Sequence, residues 1–494
     1  MTTTTSPRTD KPLKSPSLNG STEKVDIAHV DISDNLEEGG EAATKGDYSG
    51  FTQKTDPKEI KLVRKLDRYI MPALFATYFM NYLDRNAIAL AKLSSIEKDL
   101  GLTDVQYQTA VSILFVGYVF FGVPSNMLLT RVKPSVYLTC IMLTWAIVSI
   151  CTAFARNYTG LLMTRFFLGA LEAPYYPGAL LIISTFYTRT EVATRISILY
   201  LGNILATAFA GLIAAGIFEL EGVKGYAGWQ WLFIIQGAVT GVVALSCYAL
   251  LPNTPLTTHW LKPEERQLAH DRMNRDRVDE TEKGSVWQGL KQAFSDPRVW
   301  LFILMYNMHL SANGFKNFMP SVVNTLGFSK LITLCLTCPP YLMAGAFTMV
   351  VSLSSGKYNE RTWHITVCKI IAIIGFVLAP ATLNTGVRYF AMCVFTIGTY
   401  GVNSIVLGWA ATVCSQSLEK KAVVLGIMAS IGTGSFIYTP YLFREDDKPR
   451  YTIAMSAMAA FSLMCMICAW IMRFVLQRQN KTLAATGAPT KYPY

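Results

Sequence analysis

Four ionisable side chains stand where ionisable side chains are costly. The string YFMNYLDRNAIALA, Tyr78 to Ala91, carries Asp84 and Arg85 inside an apolar run. The string LLMTRFFLGALEAPYYPG, Leu161 to Gly178, carries Arg165 and Glu172. A charged residue at the centre of a membrane helix costs about 2.5–3.5 kcal/mol on insertion scales, so four unpaired ones would cost on the order of 10 kcal/mol. That is comparable with the whole stability of a domain. The four must therefore face a bundle interior, pair with one another, or line water. Arg165 and Glu172 are seven positions apart, which puts them on one helix face but about 10 Å apart along its axis. They cannot pair directly within one helix, and Asp84 and Arg85 are the natural partners from a neighbouring one. A static cluster clasping two helices is one reading. A site that binds an anion and exchanges protons is the other, and intramembrane ionisable residues are functional by default.

Further polar residues surround these four in the sequence. Tyr82 lies one turn before Arg85, and Tyr118 falls mid-run in the second apolar segment; each suits either substrate hydrogen bonding or aromatic packing. His309 and Asn313 are four apart on one face of the seventh segment. Both are candidates for substrate contact, although a lone intramembrane histidine is more often a hydrogen-bonded packing residue. Lys316, further along, is expected to snorkel outward, and Asn403 fits either role. Asn157-Tyr158-Thr159 is a glycosylation sequon on a short loop, where low occupancy is expected.

The elements that must position these groups are apolar helices. Of 494 residues, 51% are hydrophobic and 16% charged, against about 25% charged in soluble chains. Runs long enough to cross a bilayer recur near 69–91, 107–129, 135–155, 160–186, 194–218 and 229–251, then near 299–323, 331–353, 364–383, 387–414, 421–443 and 451–476. They are too long for barrel strands, so the fold class is an all-α membrane protein of about twelve transmembrane helices in two six-helix bundles. The net charge of +11 forms no stripe for nucleic acid. Lys58, Lys61, Arg64, Lys65, Arg68, Arg131, Lys133, Arg189, Arg195, Lys357, Arg361, Lys420 and Lys421 fall in alternate loops, the pattern of retained cytoplasmic positive charge. Both termini are expected in the cytoplasm. The ten cysteines lie in apolar runs; two CxxC pairs lack the His or acidic company that a metal site needs, so packing is their expected role.

The same residues carry a resemblance. NYLDR (Asn81–Arg85), VPSN (Val123–Asn126), RFFLGALE (Arg165–Glu172), Pro177-Gly178, WQWLFIIQG (Trp229–Gly237), LKPEER (Leu261–Arg266), FMP (Phe318–Pro320), CPPY (Cys338–Tyr341) and KKA (Lys420–Ala422) resemble the major facilitator superfamily. Within it they resemble the fungal allantoate permease group of the anion:cation symporters, over about residues 60 to 478. The resemblance implies proton-coupled import of nicotinate, allantoate or other organic anions. It implies that Asp84 and Glu172 exchange protons, that Arg85 meets the substrate carboxylate, and that Arg165 is its companion. The chain departs from the pattern in three places. NMLLTR (Asn126–Arg131) lacks the acid of the usual loop, Gln236 replaces a common glutamate, and the fifth segment has no Gly-Pro signature of drug antiporters.

These readings give a plan: a disordered cytoplasmic tail (1–66), a first bundle (67–252), a cytoplasmic linker (253–297), a second bundle (298–478) and a cytoplasmic tail (479–494). The expected function is proton-coupled symport of a small organic anion at the plasma membrane, by a monomer without cofactor or metal. The alternative is export of a fungal secondary metabolite on the same scaffold. The chain shows no GxxxxGK[ST] loop for ATP and no HExxH or nucleophile elbow, so an enzyme is not expected.

Overall fold

The structure is a computed structural model, describing residues 56–129, 132–276, 286–358, 360–414 and 418–485. The expectations for the terminal tails before residue 56 and after residue 485, and for Arg131, lie outside the described residues.

In lipid a backbone must satisfy its own polar groups, and helices do so within each segment. Ten helical segments among the described residues are long and apolar enough to span. Two further spans complete the set: the first is made polar by its stem and by Asp84 and Arg85, and the seventh is broken short, its longest piece 16 residues. The first, Pro57–Ala91, is a single 35-residue helix that begins well before residue 69. Its opening turns alternate basic residues with Leu62, Val63 and Leu66, which are buried, so the helix continues as an amphipathic stem. Asp56 caps it, accepting from the Lys58 amide at 2.8 Å, with Pro57 at the first position, where its missing N–H costs nothing. The seventh span, Pro297–Ala312, breaks into a 3-10 turn at Gly314–Asn317 and resumes at Met319–Asn324.

The remaining spans are the second (Asp104–Leu129), third (Pro134–Thr152), fourth (Tyr158–Glu172 and Tyr175–Phe186), fifth (Arg189–Phe218) and sixth (Gly228–Leu250). In the second half they are the eighth (Lys330–Leu336 and Cys338–Tyr358), ninth (Thr362–Ala381), tenth (Thr385–Tyr400 and Asn403–Val413), eleventh (Leu418–Thr433, with short turns to Leu442) and twelfth (Thr452–Ala485). In the first bundle the first span packs on the fifth and sixth, the second on the fourth, and the third on the sixth. In the second bundle the ninth packs on the tenth and twelfth, and the seventh on the eleventh and twelfth. Second and fourth spans meet closely through Gly117 and Gly169; a Cβ at Gly169 would collide with the Leu114 carbonyl.

Between the bundles runs the helix Pro263–Asp276, which is held to the first bundle. Lys65 pairs with Glu265 at 2.6 Å, Arg272 with Glu191 at 2.5 Å, and Trp260 stacks on Tyr69 at 4.6 Å. At the opposite end of the spans the two bundles are joined directly. Gln108 donates to the Phe443 carbonyl at 2.9 Å, and Asp104 accepts from the Glu445 amide at 3.1 Å. Phe318 stacks on Phe443 at 4.6 Å and meets Tyr107 edge-on. Lys92 sits among Glu97 (3.1 Å), Asp104 (3.8 Å) and Glu445 (2.8 Å).

Candidate functional site

The breaks in the spans fall at polar residues. In the fourth span Glu172 ends one helix, and Ala173-Pro174 separates it from the next. Pro174 and Pro177 have no N–H to continue the ladder, so the sequence itself dictates the interruption. In the tenth span Asn403 opens the second helix after the break at Gly401-Val402. Discontinuous helices at mid-membrane are how carriers place backbone and side-chain polarity at a binding site.

Arg85 on the first span reaches Glu172 on the fourth: Nη2 lies 2.7 Å from Oε2, and Nε donates to the same oxygen at 2.9 Å. The guanidinium is flanked by the rings of Tyr82 at 4.9 Å and Tyr118 at 5.1 Å. Tyr82, Arg85 and Tyr118 are half-buried, whereas Glu172 and Arg165 are buried. Arg165 donates from Nη2 to the Arg85 carbonyl at 3.3 Å. Its Nε and Nη1 meet no acceptor, and Glu172 Oε1 meets no donor. A buried, unmatched donor costs about 1–3 kcal/mol, more when charged, so Arg165 carries two groups that call for an acceptor.

Asp84 is Arg85's neighbour in sequence but not in space. It is turned away into a pocket of neutral donors, accepting from Trp145 Nε1 at 3.2 Å, Ser149 Oγ at 3.4 Å and Thr240 Oγ1 at 3.0 Å. Consecutive helical residues point about 100° apart, which is why a paired cluster of all four does not form. Lys316 departs from the expected outward snorkel. The 3-10 turn directs it inward, its ammonium 4.0 Å above the Phe436 ring, where its charge interacts with that of Arg85. Phe436 in turn packs against Phe115 of the first bundle, with centroids 4.9 Å apart. Lys316 thus faces the cleft between bundles, and among the described residues no carboxylate pairs with it. Its sequence signal was present: a lysine three residues past Asn313 in a polar run that interrupts the apolar pattern.

His309 and Asn313 do not face that cleft. The His309 ring is fully buried within the second bundle, its Nε2 3.4 Å from the Asn313 amide nitrogen and its Nδ1 3.1 Å from Lys369 Nζ. Asn403 bridges outward, accepting from the Tyr306 hydroxyl at 3.2 Å and donating to the Tyr200 hydroxyl of the first bundle at 3.2 Å. Asn157 is exposed and caps the fourth span, accepting from the Gly160 amide at 2.8 Å. What the cleft holds is therefore one bridged arginine, one arginine with unmatched donors and one lysine, set against a single facing carboxylate. The arrangement carries a surplus of positive charge.

Comparison with known proteins agrees with this architecture. The sequence profile of the Major Facilitator Superfamily matches residues 74–440. An uncharacterized transporter of Schizosaccharomyces pombe is 31% identical over 86% of this chain and 88% of its own length. The high-affinity nicotinic acid transporter of Saccharomyces cerevisiae is 27% identical over 89% of this chain and 82% of its own. Among solved structures, an inward-facing, unoccupied bacterial homolog of the human lysosomal transporter Spinster superposes with a TM-score of 0.67 at 18% identity. That likeness covers 85% of this chain and 97% of the other.

Proposed function

The chain belongs to the Major Facilitator Superfamily, a family of membrane transporters, and on that premise we propose that it is a proton-coupled symporter of a small organic anion of the nicotinate or allantoate type. The observation that carries this reading is the uneven charge of the cleft. Arg165 keeps two buried donors unmatched, and the charge of Lys316 adds to that of Arg85, while among the described residues Glu172 is the one carboxylate bridged to Arg85. A carboxylate docking there receives a planar guanidinium fork and the hydroxyls of Tyr82 and Tyr118.

Coupling follows from the Arg85–Glu172 bridge. Burial and an adjacent guanidinium act in opposite directions on a carboxyl's hold on its proton. Protonation of Glu172 frees Arg85 for the incoming anion; deprotonation re-forms the bridge and expels it. Asp84, held by neutral donors, is the second carboxylate assigned to proton exchange. The allantoate permease-like group is the subfamily in this reading. Residues 67–252 and 298–478 are the two bodies that rock about the site, joined by a cytoplasmic linker (253–297). The carrier works as a plasma-membrane monomer with both tails cytoplasmic.

The test is uptake of labelled nicotinate and a panel of other small carboxylates into proteoliposomes, with and without an imposed pH gradient. Gradient-driven accumulation of at least one carboxylate, abolished by a protonophore, is expected. Uptake that ignores the gradient overturns the coupling, and no uptake of any carboxylate overturns the substrate class.

A further inference from the structure

A second ionisable pair lies outside the cleft. Lys369 on the ninth span and His309 on the seventh are both 0% exposed, with Nζ 3.1 Å from Nδ1. The groups facing them are few. From the seventh span the Tyr306 ring lies 6.0 Å from the imidazole, and Asn313 approaches Nε2. From the tenth span Asn403 accepts from the hydroxyl of that same Tyr306 at 3.2 Å. Cys368 of the ninth span and Cys465 of the twelfth interact with the Lys369 charge. Among the described residues, no carboxylate faces the pair.

Two basic nitrogens at hydrogen-bond distance allow only certain proton counts. Either an ammonium donates to a bare Nδ1, giving one positive charge, or both groups are neutral. Two full charges would set N–H against N–H with nothing to offset the repulsion. Even the singly charged form is buried without a counter-ion, and removing a charge from water without one is costly. Apolar residues of similar size would hold these helices together at less expense. A static role therefore explains the pair poorly, whereas a site that gains and loses one proton uses both forms. Full burial excludes an organic anion, which leaves the proton as ligand.

The pair also has a route for reporting its state. The ring packs against Tyr306, whose hydroxyl donates to Asn403 at 3.2 Å, and Asn403 crosses between the bundles to the Tyr200 hydroxyl on the fifth span. Adding a proton changes the charge and hydrogen bonding of the ring beside Tyr306, hence the Tyr306–Asn403 bond and the hold of Asn403 on the first bundle. We propose that Lys369 and His309 form a proton-binding site within the second bundle, distinct from the cleft carboxylates, and that Asn403–Tyr200 couples its occupancy to the contact between bundles. On loading, hydronium delivers a proton to Nζ, forming the N–H bond and leaving water; on release the reverse occurs. The inference does not depend on the anion reading, because its ligand is the proton itself.

The test uses the full-length protein in proteoliposomes on a solid-supported membrane, with no organic substrate present. A jump of about two pH units across neutrality, the range in which imidazole titrates, displaces charge as buried sites fill. In a Glu172→Gln background, Lys369→Met and Lys369→Arg are each expected to cut the displaced charge about twofold, as one of two remaining sites is lost. Arginine does so because it keeps its proton throughout. His309→Gln should shift the midpoint while leaving the displacement present. Equal displacement with and without Lys369, in variants that stay monodisperse, overturns the proposal. Should the Lys369 variants fail to fold, an unchanged midpoint in His309→Gln overturns it. Adding nicotinate afterwards tests the anion reading separately: absence of a nicotinate current sinks that substrate and leaves the proton displacement to be judged alone.

Discussion

Arg85 grips one oxygen of Glu172 with two nitrogens, and that geometry sets what each substitution does. Arg85→Lys keeps the charge but replaces a planar fork with a point charge. In a cleft where unmatched groups cost about 1–3 kcal/mol, substrate affinity is expected to fall at least tenfold with surface expression unchanged. Concentration dependence of labelled nicotinate uptake measures it, and normal affinity in a well-expressed variant ends the assignment. Glu172→Gln imitates the protonated acid permanently. It is expected to exchange substrate across the membrane yet fail to accumulate it against a gradient, both measured in the same vesicles. Accumulation surviving in that variant removes Glu172 from proton coupling. The cost of burying charge marked Asp84, Arg85, Arg165 and Glu172 from residue type alone. Orientation was beyond that argument: adjacent positions 84 and 85 face different neighbours, and a broken helix turns Lys316 inward where an unbroken one would have let it snorkel.

At the scale of elements, the breaks in the fourth and tenth spans fall at polar residues, and the unbroken helical stretches pack by shape. Gly169 shows the second kind. Its missing Cβ lets the fourth span touch the second at the Leu114 carbonyl, so Gly169→Ala should push the helices apart and lower the melting temperature of purified protein, whereas Gly408→Ala, where a Cβ meets nothing within 4 Å, should not. The start of the seventh span offers a pH test. Asp296 caps it, accepting from Arg298 at 2.7 Å and Lys420 at 2.7 Å. Burial alone would raise its carboxyl, but the bonds from Arg298 and Lys420 outweigh that and bring it from 3.8 down to about 2. A depressed folded-state value means the contribution is complete above the unfolded value and is lost as pH falls from about 4 toward 2. Asp296→Ala should cost about 1 kcal/mol as a lost cap and flatten that acid limb, read by thermal melts across pH. Apolar run lengths made the spans legible, because lipid leaves the backbone few choices. The early start of the first span was hidden because its stem is amphipathic and basic, which reads as a loop to any hydropathy argument.

For the whole molecule, charge asymmetry predicts that tags at either end are reached only after cells are permeabilised; labelling of a tag on intact cells sinks the topology. Asn157, sitting within its own helix cap, should show no glycosidase-sensitive gel shift that an Asn157→Gln variant removes. Six-plus-six organisation was readable because a long polar stretch divides the apolar runs equally. Nothing in the sequence revealed which end of the bundles is fastened, since that depends on contacts between residues hundreds of positions apart, such as Gln108 with Phe443. That fastening has a kinetic consequence. When the bundles part, Lys92 keeps Glu97 and Asp104 on its own side, and Glu445 keeps Lys448, so no ion is left bare. The charges are exchanged rather than broken, and what resists opening is the edge-on seat of Tyr107 on the Phe318–Phe443 pair, with the bonds of Gln108 and Asp104 to the backbone at Phe443 and Glu445. Exposing buried rings carries a positive heat capacity, whereas ion pairs kept on each side change little as the bundles part. The opening of this end should therefore respond to warmth far more than to salt: curved Eyring plots for turnover, and less than about a twofold change across the ionic strengths over which surface pairs are screened.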